Sequence, residues 1–324
     1  MWREKTLELI RDTPRPKGRI LITGCAGFIG SWLAEGLADV AEVYCVDNLS
    51  TGSLNNLSAI LDKVIFIKGD VVEVDLPRFD VAFHGAALPA PDYYVKRPVE
   101  AMLPDSFGFY RVLKKATEGG GRVVFLSSSE VYGDPEVVPT PETYWGRVNP
   151  IGIRSPYDES KRFGEALAMA FHREYGVDVV IARIFNTYGP RLDPDGSYAR
   201  VVTRFLFQAL KGEPITVHGD GTQTRSFAYV SDVIRALFLL AVCDKCTGEV
   251  YNVGSDEEIS IFQLANLVKE VTKSNSPIIH TASRPDDPRR RKPDLSKIRS
   301  LGWTPKVRLK EGLELTVAWL RSLL

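Results

Sequence analysis

The feature that most constrains this chain is a glycine-spaced loop, Gly24-Cys25-Ala26-Gly27-Phe28-Ile29-Gly30, placed directly after the β-branched run Arg19 to Thr23 and directly before an amphipathic segment. Glycines at this spacing let a strand turn sharply into a helix and bring backbone N–H groups close to an anion, while the helix N-terminus adds partial positive charge. Close strand–helix packing alone can also select such glycines, so the residues that follow decide the matter. Asp47 closes the next apolar run, Glu42 to Val46, at the distance where a carboxylate accepts from ribose hydroxyls. Gly24, Gly27, Phe28, Ile29 and Gly30 are therefore expected to cradle a dinucleotide pyrophosphate, with Asp47 and Asn48 on the ribose. Asp70 and Val71, and the run His84-Gly85-Ala86-Ala87, are expected near the adenine and the central phosphates. An acidic Asp47 repels a 2′-phosphate and so favours NAD over NADP. A turn or cap is the structural alternative for Asp47, and a satisfied core position the alternative for His84.

From Arg19 onward, short β-branched runs alternate with longer amphipathic segments: Arg19 to Thr23, Ser31 to Ala38, Glu42 to Val46. Further runs at Val64 to Ile67, Val81 to His84, Arg122 to Ser127 and Val177 to Arg183 read as strands, and Lys161 to Tyr175 as the clearest helix. This pattern predicts an α/β fold, a Rossmann-type doubly wound parallel sheet with a smaller α/β substrate-binding lobe. The texture changes at the Asp193-Pro194-Asp195-Gly196 turn, and a helical stretch from Val201 to Lys211 follows. The expected organisation is an N-terminal extension over 1–18, a nucleotide-binding domain over 19–188 with a returning segment over 226–253, and a second lobe from 189–225 and 254–324.

Composition removes several function classes. The 41 basic and 41 acidic residues cancel, so no global field draws nucleic acid or an anionic membrane. The opening stretch Met1 to Gly18 is studded with charges, unlike a secretory signal, and no apolar run is long enough to span a bilayer. Four cysteines are too few for a disulfide scaffold. Cys25 and Cys45 are expected as reduced, buried thiols, and the lone Cys243-x-x-Cys246 as structural rather than redox-active or half of a zinc site. A cytoplasmic setting without a metal is the expectation that follows.

Tyr157 and Lys161 form a Y-x-x-x-K pair on a predicted helix, which puts both side chains on one face. An ammonium beside a phenol favours the phenolate, so the pair is expected to lower the pKa of Tyr157 and let it take a hydroxyl proton as hydride leaves for a nicotinamide. Upstream, the strand Val123 to Ser127 ends in Ser127-Ser128-Ser129-Glu130, which supplies a hydroxyl to orient substrate and phenol.

Taken together, Gly24 to Gly30, Asp47, Ser128, Tyr157 and Lys161 resemble the extended short-chain dehydrogenase/reductase family of nucleotide-sugar epimerases, dehydratases and decarboxylases. The similarity runs from Arg19 to the C-terminus and implies NAD recycled within each turnover. Within the family, Ser128-Ser129-Glu130-Val131-Tyr132 lacks the Asp-Glu pair of dehydratases and looks most like the UDP-glucuronate decarboxylases (UDP-xylose synthases). Two segments are similar to their motifs: Tyr144 to Gly152 running into Arg154-Ser155-Pro156-Tyr157-Asp158-Glu159, and Asp286-Asp287-Pro288-Arg289-Arg290-Arg291-Lys292-Pro293-Asp294. That likeness implies a catalytic set of Ser128, Ser129, Glu130, Tyr157, Lys161 and Arg291. It also implies a UDP-sugar held by Asn186, Arg191 and Arg225, with Tyr94 near its carboxylate, Arg291 placed to assist carboxylate loss or C5 protonation, and Ser129 and Glu130 around the reacting carbons. Ser128 stands where the decarboxylase pattern usually has threonine, and Asp105 where many members have asparagine. A UDP-hexose or UDP-uronate 4-epimerase is the nearest alternative, then a dTDP-glucose 4,6-dehydratase-like enzyme; a non-catalytic NAD-binding sensor is the alternative of another class. The family also implies a homodimer, built from Met102 to Lys115 and Lys161 to Tyr175.

Overall fold

A computed structural model of the protein describes residues 1–193, 200–282 and 289–324. The Asp193 to Gly196 turn falls mostly outside these residues, as do Asp286, Asp287 and Pro288.

A short helix, α1 (Trp2–Arg11), precedes the alternating core: β1 (Arg19–Thr23), α2 (Phe28–Leu37), β2 (Glu42–Asp47), β3 (Ile65–Lys68) and β4 (Val81–His84). Helices α3 (Pro91–Lys96), α4 (Pro98–Met102) and α5 (Phe109–Gly119) lead to β5 (Arg122–Ser128), α6 (Ser155–Tyr175), β6 (Val179–Ile184) and β7 (Thr187–Tyr188). Beyond them lie α7 (Val201–Lys211), β8 (Ile215–His218), β9 (Thr224–Ser226), β10 (Ala228–Tyr229), α8 (Val230–Val242) and β11 (Glu249–Val253). The chain ends through β12 (Glu258–Ser260), α9 (Ile261–Thr272), β13 (Ile278–Thr281), β14 (Arg290–Arg291), α10 (Ser296–Arg299) and α11 (Leu309–Leu320).

Seven parallel strands form the main sheet in the order β11-β6-β5-β4-β1-β2-β3. The predicted doubly wound α/β fold is thus present. Both faces of β1 are covered: Ile20 and Ile22 enter one apolar cluster and Leu21 the other, as the two-residue period of a strand requires. Helix α5 buries Phe109, Val112, Leu113 and Ala116, an i, i+3, i+4, i+7 stripe that explains its docking on the sheet. Strand order reverses between β1 and β4, and open α/β sheets place their ligands in the crevice at such a point. The smaller sheets, β12-β9-β14 and β13-β8, come from the later part of the chain.

One expectation is refined and another fails. The helix expected from Met102 to Lys115 is present but not regular: α4 runs through Leu103 into one wider, π-helical turn over Pro104–Gly108 and on into α5. Pro104 has no N–H to continue a helical ladder. Cys25 and Cys45 are not the expected thiols, since they are disulfide-bonded to each other; Cys243 and Cys246 are bonded as well. Cys25 lies just past the end of β1 and Cys45 on the adjacent β2, so parallel pairing brings them together.

Candidate active site

Two adjoining cavities open at the C-terminal ends of the sheet strands. The larger, about 670 Å³, is lined by the glycine loop, Asp47, Gly85, Ser128, Tyr157 and Lys161. Gly24 adopts φ +72°, and a Cβ there would lie 2.7 Å from the Gly85 carbonyl oxygen; a Cβ on Gly30 would lie 2.2 Å from the Gly24 oxygen. Only hydrogen fits at either place. Asp47 accepts from the Ala26 N–H at 2.9 Å and the Leu49 N–H at 2.7 Å, and burial pushes its carboxyl upward. It therefore caps the loop and the turn while also lining the cavity, so the two readings of Asp47 coexist. Asn48 donates to Asp70 at 2.8 Å, and both, with Val71, line a neighbouring recess.

Arg191 enters this larger cavity rather than the substrate cavity expected from sequence. Its backbone has φ 77°, which turns the side chain onto α2, where it pairs with Glu35 and lies 3.9 Å over the Trp32 ring. Its Nη1 is buried without a partner among the described residues. That orphan donor, the loop N–H groups at the start of α2 and the Asp47 carboxylate fit a dinucleotide: pyrophosphate on the cations and amides, ribose on the acid. His84, in contrast, is a core residue. It is fully buried between the Thr23 hydroxyl at 2.9 Å and the Pro104 carbonyl at 3.1 Å, and stacks on Phe109. Burial holds it neutral, with its pKa lowered to about 3.

Helix α6 carries Tyr157 and Lys161 one turn apart, and Lys161 is almost wholly buried. Its ammonium donates to the Leu126 carbonyl at 2.7 Å and to the Asp105 carboxylate at 2.8 Å. This corrects the expectation for Tyr157. Burial, then the Asp105 charge, hold its phenol above the ordinary value, against lowering contributions from Arg200 and a hydrogen bond with Ser128. Sequence spacing suggests an ammonium acting on the phenol alone, but a carboxylate shares it.

The smaller cavity, about 200 Å³, meets the first at Ser128 and Tyr157. Ser129, buried after the end of β5, and Glu130 line it. Arg291 grips Glu130 with Nη1 and Nη2, at 2.5 and 2.9 Å, and Arg154 donates to the same carboxylate at 2.6 Å. Burial pushes Glu130 up, but the two guanidiniums more than reverse this and hold it at about 2. Tyr94 stacks on Tyr157 with ring centroids 5.8 Å apart. Asn186, whose Nδ2 is buried without a partner among the described residues, and Arg225 also line it. Strand β14 runs parallel to β9 with Arg291 opposite Arg225, which carries both arginines to the cavity. Sequence reading missed Arg154, Arg200, Arg204, His218 and Gln223 as lining residues. Arg154 carried a signal, since it lies about one helical turn before Tyr157.

The chain matches the model of the NAD dependent epimerase/dehydratase family over residues 20–254. It is 47% identical over 302 residues to UDP-glucuronic acid decarboxylase 6 of Arabidopsis thaliana, covering 92% of this chain and 87% of that protein. Among solved structures, UDP-glucose 4-epimerase of Thermotoga maritima, with UDP-glucose, superposes with TM-score 0.87 at 35% identity, covering 94% of this chain and 99% of the other. UDP-glucuronic acid 4-epimerase of Bacillus cereus, in complex with UDP-glucuronic acid and NAD, gives TM-score 0.85 at 28% identity, covering 94% of this chain and 100% of the other.

Proposed function

Because the chain belongs to the NAD dependent epimerase/dehydratase family, we propose that it converts UDP-glucuronate to UDP-xylose and carbon dioxide through a 4-keto intermediate. The observation that carries this reading is the Arg291–Glu130–Arg154 cluster in the same cavity as Tyr157 and Ser128. Two guanidiniums against Glu130, with the neighbouring Asp158 carboxyl pushed up to about 7 and so only partly ionised near neutral pH, leave a surplus positive charge beside the proton-relay phenol, which suits a sugar acid better than a neutral hexose.

Gly24, Gly27, Gly30, Asp47 and Arg191 would hold NAD, which when bound supplies the hydride acceptor and later the donor at C4. Tyr157 takes the proton of the 4-hydroxyl, and Ser128 fixes the direction of that transfer. The resulting ketone is β to the C6 carboxylate, so loss of carbon dioxide leaves its electron pair in an enolate. C5 then gains a proton, and Tyr157 returns its own to the oxygen on C4. One proton is consumed in each turnover. Arg291 and Arg154 orient the carboxylate before it leaves; a guanidinium does not readily give up its proton, so C5 protonation falls to water or another acid.

A 4-epimerase reading has support in the two solved epimerases, which share the fold and the nucleotide-sugar chemistry. Incubation with NAD and UDP-glucuronate separates the two. Carbon dioxide and a pentose nucleotide by mass are expected, whereas an isomeric UDP-uronate with no gas would favour the epimerase. The same proposal includes a homodimer through α4, α5 and α6. Val99, Phe107, Tyr110 and Phe163 stand exposed on these helices and on the turn between α4 and α5, apolar side chains of the kind that association covers. Equilibrium sedimentation returning a monomer at micromolar concentration would reject the dimer.

A further inference from the structure

Asp105 is buried completely, on the π-helical turn Pro104–Gly108 that links α4 to α5. One oxygen accepts from Lys161 at 2.8 Å, and the other is buried with no partner among the described residues. A fully desolvated carboxylate whose one charged partner is Lys161, with the Ser160 hydroxyl as its only other close donor among the described residues, is costly, so its place beside the relay lysine calls for a reason. From β4 it is faced by His84, whose Nε2 lies 4.0 Å away; from α6 it is faced by Lys161, Tyr157 and the Ser160 hydroxyl. His84 Nε2 meets the Pro104 carbonyl, which can only accept, so this nitrogen carries the proton and Nδ1 accepts from Thr23. The imidazole is therefore neutral and does not balance the carboxylate. Lys161 is its counter-ion.

Resting on the decarboxylase reading above, we infer that Asp105 is a positioning residue that acts through Lys161: by occupying the ammonium it withholds part of the positive field from Tyr157, and so sets the pH at which turnover begins. The pair Asp105–Lys161 is neutral as a unit. With an uncharged residue at 105, the same ammonium, still anchored by the Leu126 carbonyl, presents its whole charge to the phenol. The direction of the burial and charge effects on Tyr157 agrees with this, since Asp105 is the largest raising influence after burial.

The test uses NAD-loaded protein with Asp105→Asn, and Asp105→Ser as a second variant that removes the charge with a smaller side chain. Two readouts are followed against pH: cofactor reduction on mixing with UDP-glucuronate, and tyrosinate absorbance, with Tyr157→Phe subtracted. Both variants are expected to move the acidic limb of the rate profile, and the Tyr157 titration, downward by about 1–3 pH units. Below the wild-type limb they then turn over about tenfold or more faster than wild type. A uniform loss of rate with no displacement of either curve overturns the inference, and so does collapse of folding in both variants, which would assign Asp105 to the scaffold. If wild type neither reduces its cofactor with UDP-glucuronate nor releases gas while the Tyr157 titration still moves, the substrate reading fails and the electrostatic role stands.

Discussion

Arg291 and Glu130 are 161 positions apart in sequence and meet as a two-pronged ion pair, Nη1 and Nη2 on the two carboxylate oxygens. Glu130 is held near 2, below its ordinary 4.5, because two guanidiniums outweigh its burial. A depressed carboxyl stabilises the fold fully above the unfolded value and loses that contribution as pH falls through the folded one. Glu130→Gln leaves two largely buried cations facing each other, so a loss of about 3–5 kcal/mol is expected near neutral pH. Denaturant titration should show that the difference from wild type shrinks as pH drops from 4.5 toward 2.

Asp158 gives the opposite sign. It is nearly buried, 3.8 Å from Arg154 Nε, with Oδ1 unpartnered among the described residues, and burial followed by the Glu130 charge raises it from 3.8 to about 7. A carboxyl raised on folding favours the native state below its unfolded value, and this contribution is lost as pH rises through the folded value. Asp158→Asn should therefore be more stable than wild type above about 7, and the two should converge in a plot of melting temperature against pH as it falls toward 3.8. Melting curves that stay parallel across that window would rule out a raised Asp158.

Tyr157 should be dispensable for binding and required for chemistry. Tyr157→Phe keeps the ring stacked on Tyr94 and removes only the hydroxyl. The rate is expected to fall by about 10²–10⁴-fold, with NAD affinity by calorimetry close to wild type. A drop in affinity of the same size as the drop in rate would mean that the phenol holds ligand rather than moving a proton.

What the chain discloses in advance follows the range of the interaction. The glycine loop and Asp47 are legible because a strand, a turn and a helix start are set by neighbouring residues, and Tyr157 with Lys161 because one helical turn fixes their spacing. Arg291 reaches Glu130 only through the pairing of β14 with β9, so a resemblance could suggest it while local spacing could not. Arg191 serves a different cavity from the one its sequence context suggests, because a left-handed backbone turn, invisible in its neighbours, redirects it toward Glu35. The Cys25–Cys45 bond and the Asp105–Lys161 pair likewise arise from strand and turn packing. Each joins segments that are silent about one another in sequence.

The glycine loop offers a test that separates crowding from backbone strain. Gly30 has no room for a Cβ, which would sit 2.2 Å from the Gly24 carbonyl oxygen and 2.8 Å from the Cys25 Cα. Gly120, at the end of α5, adopts φ +73°, but a Cβ added there would meet nothing within 4 Å. Gly120→Ala should therefore cost only the left-handed conformation, about 1 kcal/mol, and leave NAD binding intact. Gly30→Ala must push the loop off the start of α2, so NAD affinity is expected to fall at least about tenfold, as losing one charge-assisted hydrogen bond would bring about. Calorimetric titration of both variants decides it: equal affinities would mean that the loop N–H groups do not hold the pyrophosphate.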